Sequence, residues 1–159
     1  MLILRDVREA DLPVFFVQQQ DAEAQRQVAF SPRPPDDRAA FDTHWEALLK
    51  NDQCVKQTIE VDGEVAGNIG CFLHEGSWEV GYWLGKSYWG RGIGTEALTK
   101  FLATIPMRPI RAGVAKDNIA SRRVLEKAGF RMIGEASGYS PFRACMVDEL
   151  IYELTEDHC

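Results

Sequence analysis

The sequence predicts a mixed α/β fold of the α+β kind, with one mostly antiparallel central sheet of 6–7 strands flanked by about four helices. Three observations carry that prediction. Asp62-Gly63 separates two β-rich runs, a strong hairpin signal because both residue types tolerate the left-handed backbone of a tight turn. A further β-rich run, residues 78–84, leads through a glycine-rich loop into an amphipathic helical pattern and then another strand, which describes a crossover expected to be right-handed. The 159 residues, 45% hydrophobic and 26% charged, can bury one core but are too few for two ordinary domains, so residues 1–159 are expected to form a single domain.

In chain order, Leu2-Ile3-Leu4 is a short apolar first strand, and Asp11 is placed to cap a helix with Leu12, Phe15 and Phe16 on one face. Ser31-Pro32-Arg33-Pro34-Pro35 must be a loop, because each proline removes a donor and disfavours helix before it. Asp36 and Asp37 then cap a second helix running to about Lys50, with Phe41, Trp45, Leu48 and Leu49 at spacings of three and four. Residues 58–61 and 65–73 form the hairpin around Asp62-Gly63, and residues 78–84 extend it. From 92 to about 104, Ile93, Ala97, Leu98, Phe101 and Leu102 share a helical face, which Pro106 and Pro109 end. Residues 110–114 are a fifth strand, and 118–128 a helix with Val124 and Leu125 inward and Gly129 as its C-cap. Residues 130–133 and 149–154 complete the sheet.

The bulk properties exclude several classes. No apolar run is long enough to span a bilayer, and the N-terminus lacks a signal-peptide core, so a cytoplasmic protein without a membrane partner is expected. A net charge of −6 argues against a nucleic-acid binder. Cys54, Cys71, Cys145 and Cys159 are far apart, as are His44, His74 and His158, so incidental thiols are expected, with neither disulfide nor metal site. The charge is unevenly spread. Residues 86–131 hold ten Lys/Arg against three acids, and residues 1–85 hold seven basic against fifteen acidic. That split suits a polyanionic small molecule at one end and a cationic one at the other, although solvated helix charges would produce it too.

Trp89-Gly90-Arg91-Gly92-Ile93-Gly94-Thr95 closes a strand, packs three glycines into five residues and opens a helix. Glycines let backbone approach a ligand closely, and the first-turn N–H groups of a helix lack internal partners, so this is a cradle for phosphate. A nucleotide-triphosphate loop ending at Gly85-Lys86-Ser87 would need glycine at position 80, where Val80 stands. A dinucleotide fingerprint can be drawn through Gly92, Gly94 and Ala97 with Asp117 as ribose acceptor, but a meander of strands precedes the loop and one crossover alone is visible.

With these residues the chain resembles the GNAT superfamily of acetyl-CoA-dependent N-acetyltransferases, in particular its ribosomal-protein N-terminal acetyltransferase-like branch. The resemblance covers nearly the whole chain. Gly81-Tyr82-Trp83-Leu84, the 89–97 loop and helix start, and Asn118-Ile119-Ala120-Ser121 through Phe130 carry it. It implies that the amides from Gly90 to Thr95, through Arg91, Gly92, Ile93 and Gly94, hold the pyrophosphate of the cosubstrate acetyl-CoA, with no metal. Trp89 stands where the family motif has a polar residue, which leaves more of the binding to backbone. Tyr82, Trp83 and Leu84 match the strand that pairs with the pantetheine arm, and Asn118 a pantetheine contact that is equally a helix N-cap. Arg122, Arg123 and Lys127 are phosphate partners in the same reading.

Acyl transfer to an amine needs a neutral nucleophile, a polarised thioester and a stabilised leaving thiolate. At pH 7, presenting a neutral amine costs about 4.6 kcal/mol for an ordinary lysine and about 1 kcal/mol for an α-amine. The leaving-group tyrosine that many relatives carry falls at Leu125, which leaves Ser121, the branch's alternative, as the candidate acid. Glu79, on the strand feeding the loop, is the candidate base, with Tyr139, Glu135, His74 and Asp148 behind it. Direct transfer in a ternary complex is expected, since no nucleophile–base motif is present. The acceptor site falls to the first two helices and the C-terminal strands, in the acidic part of the chain. A protein N-terminal α-amine, a polyamine or an aminoglycoside would suit it. A homodimer is one assembly open to the chain, and a catalytically inactive CoA or acetyl-CoA sensor or scaffold is the alternative function.

Overall fold

The computed structural model describes residues 1–30 and 36–155. Seven strands form one sheet: β1 (Leu2–Asp6), β2 (Cys54–Val61), β3 (Glu64–His74), β4 (Ser77–Leu84), β5 (Ile110–Ala115), β6 (Arg131–Ser140) and β7 (Cys145–Leu154). Their order is β1-β2-β3-β4-β5-β7-β6, and every neighbouring pair is antiparallel except β4 and β5. The expected crossover is therefore the parallel step. It is carried by α4 (Ile93–Thr104), whose Leu98 and Phe101 are 0% exposed in one core with Ile69 and Ile110, also 0%. Burying a side chain of that size contributes about 2–3 kcal/mol.

The parallel pairing is short. Only Trp78↔Ile110 and Glu79↔Arg111 are in register, after which β4 and β5 diverge. A sheet that splits in this way leaves one edge of β4 without a ladder partner from Val80 onward, and that opening creates the site.

The remaining helices are α1 (Leu12–Gln18), α2 (Ala22–Val28), α3 (Arg38–Lys50) and α5 (Ile119–Lys127). On the sheet face opposite α4, Phe15, Phe41 and Trp45 form a smaller core, with Phe15 and Trp45 rings 5.1 Å apart. The sequence did not lead us to expect α2, and Asp21, whose carboxylate accepts from the Ala24 N–H, was the signal for it. The α3 cap is Asp37, bonded to the Ala40 N–H, while Leu49 lies on the exposed side of the helix. The Pro-rich loop at 31–35 falls outside the described residues, as do Cys159 and His158. Both C-terminal strands extend beyond their expected limits to form a long β6–β7 hairpin.

Asp11 corrects an expectation. Its side chain makes no capping bond to α1. It is buried, and it accepts from the two terminal Arg5 guanidinium nitrogens (2.7 and 2.9 Å), from the Arg8 N–H and from Thr58 Oγ1, pinning β1 and β2 to the start of the first helices. Burial pushes its carboxyl up, but these donors outweigh it and bring the pKa down to about 2.

Candidate active site in the strand opening

A cavity of about 590 Å³ occupies the opening between β4 and β5. Its walls are β4 from Val80 to Leu84, β5 from Ala112 to Ala115, the glycine loop, the first turn of α4 and one face of α5. Ala24, Gln27 and Val28 of α2 close it from the other side of the sheet. The helix that was not expected from the sequence is therefore one that touches the site. The 3-4 spacing of those three residues was the pattern available.

At the loop, Gly90 (φ +73°) and Gly92 (φ +74°) adopt left-handed backbone, and a Cβ at either would meet no atom within 4 Å. The backbone favours glycine at both positions, and the space in front of the chain is open. Gly92 is the N-cap of α4 and has no side chain to satisfy the first turn, where Glu96 is the first residue to bond back, to the Gly92 carbonyl. The amides of Ile93, Gly94 and Thr95 therefore face the cavity with the positive end of the helix dipole. Trp89 lines the cavity too, but its indole N–H donates to the Leu84 carbonyl (3.1 Å), so it fastens the loop to the end of β4. Arg91 points elsewhere, its guanidinium 5.6 Å from the Tyr88 ring centre.

On α5, Asn118 is the N-cap and accepts from the Ser121 N–H (3.3 Å), while its amide donates to the Gln27 carbonyl of α2 (3.4 Å). Capping is thus the role its side chain performs in this structure. Ser121 Oγ lies 2.9 Å from the Tyr82 hydroxyl, and both residues line the cavity. The basic side chains divide by helical face. Arg123 and Lys127, one turn apart, line the cavity, whereas Arg122 donates to the Tyr152 hydroxyl (3.4 Å) and the Lys116 carbonyl (3.0 Å) outside it. Much of the basic excess is likewise committed: Lys86 pairs with Glu23, Lys100 with Glu96, Arg111 with Glu153 and Lys116 with Glu135.

The strands alternate faces, so Glu79, Gly81 and Trp83 project away from the α4 core, as Gly113 does on β5. Gly81 and Gly113 add no side chains of their own to this strip of floor, and the space over Gly81 is open. Glu79 lies at one end of the strip. At the other, the Glu149 carboxylate reaches within 3.0 Å of where a Gly113 Cβ would stand. Burial and then the Glu79 charge push the Glu149 carboxyl up. Glu149 was not among the candidate bases. Its place between Val147 and Ile151 on one strand face was the clue. Glu79 and Glu149 flank the glycine strip without lining the cavity itself, and the other candidates lie elsewhere: Tyr139 and Asp148 are exposed, Glu135 is paired with Lys116, and His74 sits beside Glu75 at the β3–β4 turn.

The donor set fits an extended, amide-bearing anion. The uncapped turn and Arg123 and Lys127 suit phosphates. The free β4 edge suits peptide-like groups. The Trp83 indole N–H, on the cavity wall, is buried without a hydrogen-bond partner among the described residues. No group of His, Cys, Asp and Glu among the described residues could hold a metal ion, and no helix there is long and apolar enough to cross a membrane.

Residues 1–131 match the family model of the acetyltransferase (GNAT) domain. An uncharacterized N-acetyltransferase, p20, of Bacillus licheniformis is 29% identical over 104 residues, 63% of this chain and 58% of that protein; the chain thus matches little more than half the length of that relative. Among solved structures, Mycobacterium smegmatis RimJ in complex with a CoA disulfide superimposes with a TM-score of 0.81 at 25% identity, over 97% of this chain and 81% of that one. RimL, a ribosomal L7/L12 α-N-protein acetyltransferase in complex with coenzyme A, shares the fold at a TM-score of 0.82 and 19% identity, over 98% and 94% of the two chains. The split sheet, the glycine cradle at the head of α4 and the match over residues 1–131 place this chain in the GNAT acetyltransferase family.

Proposed function

We propose that this protein is an N-acetyltransferase that moves the acetyl group of acetyl-CoA directly to a primary amine. The observation that carries the reading is the cavity in the β4–β5 opening, which joins an uncapped helix N-terminus on one side to the Gly81–Gly113 strip, flanked by Glu79 and Glu149, on the other. The amides of Gly90 to Thr95 with Arg123 and Lys127 hold the pyrophosphate. The free edge of β4 at Tyr82, Trp83 and Leu84 pairs with the pantetheine arm. The thioester is thereby delivered to the glycine strip, where an incoming amine meets the Glu149 carboxylate at the Gly113 end. Acetyl-CoA supplies the activated acyl group, and the protein's part is to position it and manage protons.

Glu79 and Glu149 attract a cationic acceptor and remove its proton, directly or through water. An α-amine needs less of this help than a lysine side chain, so a protein N-terminus or a small cationic amine is the acceptor class we favour. Thiol release from acetyl-CoA, followed over a panel of N-terminal peptides, polyamines and aminoglycosides, tests the proposal. Turnover on at least one supports it. Tight CoA binding without thiol release on any amine would favour the inactive sensor.

A further inference from the structure

We propose that Tyr82 is a positioning residue for protonation of the leaving sulfur: its phenol donates to Ser121 Oγ and so turns the serine's own proton into the cavity. The proposal rests on the acetyltransferase reading and on Ser121 facing the thioester. Among the described residues, Ser121 is the one hydrogen-bond partner of the Tyr82 hydroxyl, at 2.9 Å. Burial pushes the phenol's pKa up and leaves it protonated at working pH. A buried phenol O–H must donate, and the serine oxygen is the acceptor in reach. The Ser121 N–H is already committed to Asn118, and α5 fixes the serine backbone, so its hydroxyl rotor is the one free variable. Tyr82 removes that freedom. The β4 residue thus supports chemistry that Leu125, buried at 2% exposure one turn along α5, has no polar group to perform.

The step balances. The amine nitrogen attacks the thioester carbon, the C–N bond forms and the C–S bond breaks with its electron pair going to sulfur. Of the three protons on the incoming ammonium, one stays in the amide and one leaves by the Glu79 and Glu149 side to solvent. The third reaches sulfur through Ser121, which accepts it while giving up its own. Tyr82 keeps its proton throughout. The test is a double-mutant cycle on the full chain with Tyr82→Phe, Ser121→Ala and both, reading kcat, KM for acetyl-CoA and melting temperature. We expect Ser121→Ala to lower kcat about a hundredfold and Tyr82→Phe about tenfold, with KM changed less than about twofold. The double variant should be no slower than Ser121→Ala. Tyr82→Leu, which also lacks the hydroxyl, repeats the test if the Phe variant folds poorly. Multiplicative effects would show that Tyr82 acts by packing and would overturn the inference. A wild-type rate for Tyr82→Phe with a slow Ser121→Ala would overturn it while sparing the serine. A wild-type rate for Ser121→Ala would remove the serine itself, and absence of turnover in the unmodified protein would remove the acetyltransferase reading.

Discussion

Arg122 and Arg123 are neighbours in sequence and identical in chemistry, yet Arg123 lines the cavity and Arg122 does not, which makes them a sharp test of the site. Arg123 and Lys127 are exposed cations lining the cavity. A unit charge about 4 Å from a phosphate in a water-like surrounding contributes about 1 kcal/mol, so Arg123→Gln or Lys127→Gln should raise KM for acetyl-CoA about fivefold. The double variant should raise it about thirtyfold. The effect should shrink in roughly 1 M salt, where the screening length is about 3 Å. Arg122→Gln breaks bonds to Tyr152 and Lys116 outside the cavity, so KM should hold while the melting temperature falls. Steady-state thiol release at low and high salt, with thermal melts of each variant, decides the matter. Loss of affinity in Arg122→Gln but not in Arg123→Gln would refute the assignment of faces.

Three further outcomes follow from the same geometry. Because the Asp11 pKa drops from 3.8 to about 2, its contacts add about 2 kcal/mol of stability at neutral pH, lost as pH falls from about 4 to about 2. Urea titrations should show that acid loss in the wild type and a flatter profile in Asp11→Ala. Gly92→Ala forces a Cβ onto a left-handed residue at a cost of about 1–2 kcal/mol with no clash, so it should lower the melting temperature without abolishing the fold, as thermal melts would show. Burial and, after it, the Glu79 charge hold the Glu149 carboxyl up, so Glu79→Gln should move the acid limb of kcat/KM part of the way to lower pH, whereas Glu149→Gln should depress the rate across the profile. An unmoved limb would exclude Glu149 as the group that sets it.

Local signals in the sequence were strong wherever chemistry forces conformation. Asp62-Gly63, the 89–95 glycines and the Asn118-capped helix stand where expected, because turn, cradle and caps depend on a few adjacent residues; the C-cap is Ala128, one residue before the expected Gly129, which follows in left-handed backbone. What depended on tertiary context was harder to see. Asp11 looked like a cap, but a half-buried Arg5 and the buried Thr58 on the neighbouring strand claimed its oxygens. The seven-residue α2 is too short for its apolar spacing to stand out, yet it closes the cavity. Glu149 gains meaning from Gly113 on the neighbouring strand and Glu79 beyond it, and the Tyr82–Ser121 contact joins residues 39 apart. Pairings of that kind are set by strand order, which motif spacing does not encode.

Amide-resolved hydrogen exchange with and without CoA tests the central claim most directly, because it reads the backbone groups said to hold the ligand. Strong new protection is expected at Ile93, Gly94 and Thr95 and along the free edge of β4 at Tyr82 to Leu84, with little change at the distant β1–β2 edge. Protection confined to another surface, with these amides exchanging as in the free protein, would contradict it.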